Sequence, residues 1–306
     1  MNRQDYLHLQ AERKFLNERL AALPEKAWVT RQSTESRLRA IETELGKAKV
    51  DEREPARAQL TFTGRPVVGN HGIFAEFGAA AVGRFTEAVV AVAASFDAPL
   101  AAMGPIPNRE KNRLLITSTI PGSFGFELEE YRTGDLPLDG PSRVAQALEQ
   151  IRNLLQGTIG SDDELADSAT ETDPRALEKV RAFLQILADN QAACTLQYGE
   201  KTFRFSDVGQ VRRSLERLSQ DLRETEQVLE GEFQGLLSKS RTFQFNAGGD
   251  VGVITGKVSN ALDNLDRIHR EMNYRQVRIR VLSTQVGNGR PRYLLLEAPH
   301  LLEPAP

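Results

Sequence analysis

One cysteine, Cys194, stands in 306 residues. No disulfide can form within the chain, and no multi-cysteine metal framework exists. Histidine is nearly as scarce: His8, His71, His269 and His300 are far apart, with no HExxH or HxH spacing to make a zinc site. Neither sign of charge dominates, since the net charge of -3 is small against 26% charged residues. Such a balance does not suggest a chain devoted wholly to nucleic acid, and any such role would need a local patch. The longest apolar run, around Val89 to Phe96, is far short of the ~20 residues a membrane span needs. The N-terminus is polar and lacks a signal-peptide core. These absences predict a cytoplasmic protein, read as bacterial, with no membrane insertion and no cofactor or metal.

What is present is helical periodicity. Val208, Val211, Leu215, Leu218, Leu222, Thr225 and Leu229 follow an unbroken 3-4 spacing, the narrow apolar seam by which helices pair. Near the N-terminus, Tyr6, Leu9, Arg13, Leu16, Leu20 and Leu23 repeat the rhythm with one charged interruption. A second helix capped by Ser33 or Thr34 and carrying Leu38, Ile41 and Leu45 completes an antiparallel hairpin, coiled-coil-like, over residues 1–50. The charged stretch from Lys47 to Pro55 reads as a linker. So small a unit buries too little surface to stand alone. Leu9, Leu16, Leu20, Leu23, Leu38, Ile41 and Leu45 are therefore the expected oligomer contact, with packing inside one chain as the alternative.

Residues 56–206 are expected to form a mixed α+β domain. A strand at 57–63 leads through a turn-rich segment, 64–72, into a buried helix at 74–94. Strands follow at 112–120 and 123–132, turning at Pro121-Gly122, then a helix opened by Pro141. The stretch 161–173 is acidic throughout, which suggests a connection or a short helix. A helix at 174–189 and a hairpin at 193–206, turning at Gly199-Glu200, complete the domain. The heptad predicts a connecting helix over 207–230. Beyond it, residues 231–298 show three strands, a helix at 258–272 and two strands, the element order of a small OB-like β-barrel.

Three sets of residues could carry function. Seven arginines fall between positions 267 and 292. Of these, Arg275, Arg278, Arg280, Arg290 and Arg292 could form a basic barrel face for nucleic acid or another anion. The same stripe could instead meet an acidic protein surface such as the 161–173 segment. Phe243 and Phe245 could stack on bases, but their alternation with Thr242 and Gln244 reads more simply as barrel core. The turn Gly69-Asn70-His71-Gly72 could cradle an anion, although it lacks the lysine and hydroxyl of a phosphate-binding loop. Finally, Glu127 and Glu129 share a strand face and, with His71, offer a metal-dependent hydrolase or nuclease site. Cys194 reads as a buried structural thiol.

The segments Gly64-Arg65-Pro66-Val67-Val68-Gly69 and Gly122-Ser123-Phe124-Gly125-Phe126-Glu127-Leu128 resemble uncharacterised bacterial proteins encoded near antiphage defence genes. The resemblance implies a defence-system component and transfers no catalytic residue. Together these features predict a non-enzymatic, self-associating sensor, regulatory or scaffold protein that binds a protein partner. A nucleic-acid-binding protein is the alternative, and a metal-dependent hydrolase the third reading.

Overall fold

The computed structural model describes residues 3–24, 27–47, 55–120, 124–131, 141–249 and 251–302. The expected linker lies largely outside the described residues, as does the Pro121-Gly122 turn. The N-terminal segment forms helices α1 (Arg3–Ala22) and α2 (Trp28–Lys47). They lie against one another: Arg37 Nε donates to Glu12 at 2.9 Å, and Arg31 Nη1 to the Leu23 carbonyl at 2.9 Å. α2 begins at Trp28, earlier than a Ser33 or Thr34 cap would allow. Thr34 instead lies inside the helix and donates back to the Thr30 carbonyl at 2.7 Å, a bond that satisfies a hydroxyl in mid-helix.

The body is a mixed α+β layer. Strand β1 (Arg57–Gly64) is followed by the short pair β2 (Val67–Val68) and β3 (Gly72–Ile73), then helix α3 (Ala75–Ser95). Strands β4 (Leu114–Ile120) and β5 (Gly125–Glu130) come next. Helices α4 (Arg143–Ile159), α5 (Asp162–Thr170) and α6 (Pro174–Asp189) precede strands β6 (Ala192–Tyr198) and β7 (Lys201–Arg204). The sheet order is β4-β5-β1-β6-β7, antiparallel throughout. Alternation in β1 sends Ala58, Leu60 and Phe62 into the core, where Phe62 meets Phe77 of α3 edge to face at 5.3 Å. α3 is long and apolar enough to cross a membrane by length and composition; two-thirds of its apolar window is buried in the core of the body.

Caps set the helix starts. Pro141 does not open α4; Ser142 does, its Oγ accepting from Ala145 N at 3.0 Å. The acidic stretch is an ordered helix, α5, closed at its N-terminus by a capping box between Ser161 and Glu164. Asp162, Asp163 and Glu164 occupy its first turn, where negative charge suits the helix dipole.

The connecting helix expected over 207–230 is not formed. α7 spans only Val208–Glu216, a π-type turn covers Arg217–Asp221, and strand β8 runs from Leu222 to Leu237. Val211, Leu218 and Leu222 pack into the core of the body, so the first half of the heptad is real helix packing. The second half pairs with strand β11 (Arg275–Val286) over twelve residues, from Leu222↔Val286 to Phe233↔Arg275. That ladder outweighs the helix pattern, which ends just before Gly231. A Cβ on Gly231 would sit 2.1 Å from the Asn246 carbonyl oxygen. The barrel consequently begins at Leu222.

Strands β9 (Thr242–Asn246), β10 (Val253–Val258) and β12 (Arg292–Leu295) complete a closed five-stranded barrel of order β8-β9-β10-β12-β11. β10 and β12 run parallel, and all other barrel pairs are antiparallel. Helix α8 (Leu265–Met272) lies between β10 and β11 and is shorter than the expected 258–272. A short β13 (His300–Leu301) pairs with β11. Phe233, Phe243, Phe245, Val277, Ile279, Val281 and Leu295 form the barrel's own core.

Candidate functional site

The barrel meets the body along a cleft. Alternation in β11 turns Val281 inward and Leu282 outward, and β12 likewise buries Leu295 while Leu294 points out. Leu282 and Leu294 are register partners, so two outward leucines lie side by side on the barrel wall, with Leu296 just beyond. Opposite them are Phe96, Pro99 and Leu100, past the end of α3, and Pro174 at the start of α6. With the polar groups around them, these residues line an open cleft of about 550 Å³, within the range of small-molecule sites at domain boundaries.

Charged groups ring this cavity, and nearly all of them are engaged. Lys257 of β10 reaches Glu171 of the body at 3.2 Å. Glu226 of β8 accepts from Arg280 Nε at 3.1 Å. Asp173 caps α6 through Arg175 N at 2.9 Å and accepts from Leu100 N at 3.0 Å. The Arg241 guanidinium is held by the carbonyls of Val258, Ser259 and Leu262. Gln150 donates to Thr172 at 3.0 Å. Lys239 and Asn260 lie on the barrel side without a protein partner among the described residues.

The predicted arginine face is largely neutralised by the protein itself. Arg278 Nε donates to Glu230 at 2.9 Å, and Arg280 binds Glu226. Arg292 bonds Asp167 and lies 3.5 Å from Asp163. The backbone N–H of Arg290 donates to Asp163 at 3.3 Å. Thus the acidic 161–173 segment does meet the barrel, as α5 set against the β11–β12 end. Arg275 and the Arg290 side chain are left without carboxylate partners among the described residues. Phe243 and Phe245 are core, not stacking platforms.

The third candidate set does not assemble. His71 is exposed in the turn joining β2 and β3. Glu127 accepts from Thr117 at 3.2 Å, while Glu129 is buried and bound by Arg57 Nε at 2.8 Å. No group of three or more metal-ligating side chains exists among the described residues. Cys194 is buried on β6, where desolvation pushes its thiol well up, the opposite of an activated nucleophile. In the N-terminal helices, Leu16 and Ile41 are buried, whereas Leu9, Leu20, Leu23, Leu38 and Leu45 are half-buried. The cleft itself escaped sequence reasoning, because it joins residues from 95 to 296 that no local pattern links. Only Leu282, an apolar residue on the outward face that Arg278 and Arg280 otherwise occupy, hinted at a covered outer face.

Comparison of the chain with protein-family models, with curated proteins and with solved structures found no match.

Proposed function

We propose that this is a non-enzymatic binding protein that self-associates through α1 and α2 and engages a protein partner through its body and barrel. The observation that carries the reading is exposed apolar surface on the N-terminal helices. Phe15 is 59% exposed, Trp28 67% and Val29 60%, on a helix pair too small to bury such groups by itself. Large apolar groups left exposed in this way suit association with another copy. Regulation, sensing or scaffolding is the corresponding role. Antiphage defence is the setting suggested by the resemblance of Gly64–Gly69 and Gly122–Leu128 alone. The lone buried thiol suits a cytoplasmic setting. Changing Phe15 and Trp28 to Glu should lower the mass measured by light scattering, with the body and barrel still folded. A wild-type protein that is already monomeric, or a variant of unchanged mass, would overturn self-association through these helices.

Nucleic-acid binding is the second reading, favoured by the barrel's strand order. A three-strand meander, a parallel β10–β12 pair and a helix before β11 support an OB-like assignment, a fold often used for oligonucleotides. The ion pairs of Arg278, Arg280 and Arg292 and the burial of Phe243 and Phe245 weigh against it.

A further inference from the structure

We propose that the cleft between body and barrel is a binding site for a small organic anion with an apolar body. The apolar part of the site is the pair of outward leucines. Leu282 and Leu294 face the body rather than the barrel core, and both are only half-buried, as are Phe96 and Leu100 opposite. Two apolar walls that face each other across about 550 Å³ would each gain by contact with an apolar guest, at roughly 25 cal/mol per Å² of surface covered.

The polar part of the site is set by which charges lining the cleft are already paired. Each carboxylate has its partner: Glu171 has Lys257, Glu226 has Arg280, and Asp173 has the N–H groups of Leu100 and the first turn of α6. Arg241 is committed to backbone carbonyls. Lys239 is the one ionised side chain on the cleft wall that has no partner among the described residues, and Asn260, which also lines the cleft, offers an amide donor and acceptor. A second cation would find only engaged carboxylates here, whereas an anion would find Lys239 free. The ligand class is therefore an organic acid: one anionic group at Lys239 and an aromatic or branched apolar body between the leucines and Phe96. The site depends on neither α1 nor α2, so it can fail or stand independently of self-association.

A fluorescent organic acid, 1-anilinonaphthalene-8-sulfonate, tests the site on the full chain, alongside N-phenyl-1-naphthylamine, which has the same rings without the charge. Saturable one-to-one binding of the sulfonate is expected, weakened about tenfold by Lys239→Glu. The uncharged probe should bind Lys239→Glu as it binds the wild type. Ala261→Trp, which places bulk in the cleft from an exposed position, should weaken both probes. An Arg267→Glu control, on α8 and away from the cleft lining, should change neither. Absence of saturable binding to the wild type would overturn the proposal. So would a Lys239→Glu variant that binds the sulfonate unchanged, or that loses both probes equally.

Discussion

Arg217, in the turn that ends α7, places its guanidinium 2.7 Å from Asp162 at the start of α5. Its other terminal nitrogen donates to the carbonyls of Thr158 and Gly160 at 2.7 and 2.8 Å. One side chain thus satisfies carbonyls at the C-terminal end of α4, pairs with the acidic first turn of α5, and anchors the turn from which β8 enters the barrel. A cation suits the negative end of a helix, and the planar fork of arginine can reach several acceptors at once.

Arg217→Ala should accordingly cost about 2–3 kcal/mol of stability, since it leaves partly buried carbonyls without a donor. Urea unfolding would measure it. Arg217→Lys should recover less than half of the loss, because an ammonium cannot span both the carbonyls and Asp162. A lysine variant as stable as the wild type would mean that charge alone holds this corner.

Salt dependence separates the two readings of the barrel. Of the five arginines on its predicted anion-binding face, Arg275 and Arg290 have side chains free of carboxylates among the described residues. Each phosphate contact on a single strand contributes roughly −0.7 to the slope of log K against log salt. Binding to a single-stranded oligonucleotide should therefore show a slope of about −1.4 or shallower. Replacing Asp163 and Asp167 by Asn releases Arg292 and should steepen it by about −0.7. A wild-type slope near −3.5 would mean that nucleic acid displaces Glu226, Glu230 and α5 from the arginines, and would put nucleic acid ahead of the protein-binding reading.

Sequence was most informative where local chemistry decides structure. Asp173-Pro174 marks the start of α6, and Gly199-Glu200 the turn between β6 and β7. The alternation of Val277, Ile279 and Val281 marks β11. The capping box that orders α5 was also legible, since Ser161 and Glu164 have the required spacing, but acidity alone left a connection and a short helix both open. The failure at Leu222–Leu229 is different in kind. Leu222, Thr225 and Leu229 fit a heptad and a strand alike, and only the twelve-residue ladder to β11 selects the strand. The partners of Arg278, Arg280 and Arg292 and the walls of the cleft depend on tertiary juxtaposition, which periodicity does not encode.

The root of that ladder carries a titration that stability should reveal. Glu224 lies opposite Thr284 in the β8–β11 register. Its Oε1 is buried with no hydrogen-bond partner among the described residues, as are Arg181 Nε and Thr284 Oγ1. Desolvation holds the Glu224 carboxyl above its ordinary 4.5; Arg181 opposes the rise, while Asp173 and Glu178 add to it. The folded state therefore binds this proton more tightly than the unfolded chain. Its contribution is fully present below 4.5 and is lost as pH rises through the folded value. Glu149 works in the other direction, held below 4.5 by hydrogen bonds from Arg152 and Lys201. Its stabilisation disappears only at lower pH, so the two windows do not overlap. Urea midpoints measured from pH 8 down to pH 5 should thus rise for the wild type relative to Glu224→Gln, which stays neutral throughout. Parallel pH profiles for the two proteins would show that water reaches Glu224 and that the body closes less tightly on the barrel at this point than the structure indicates.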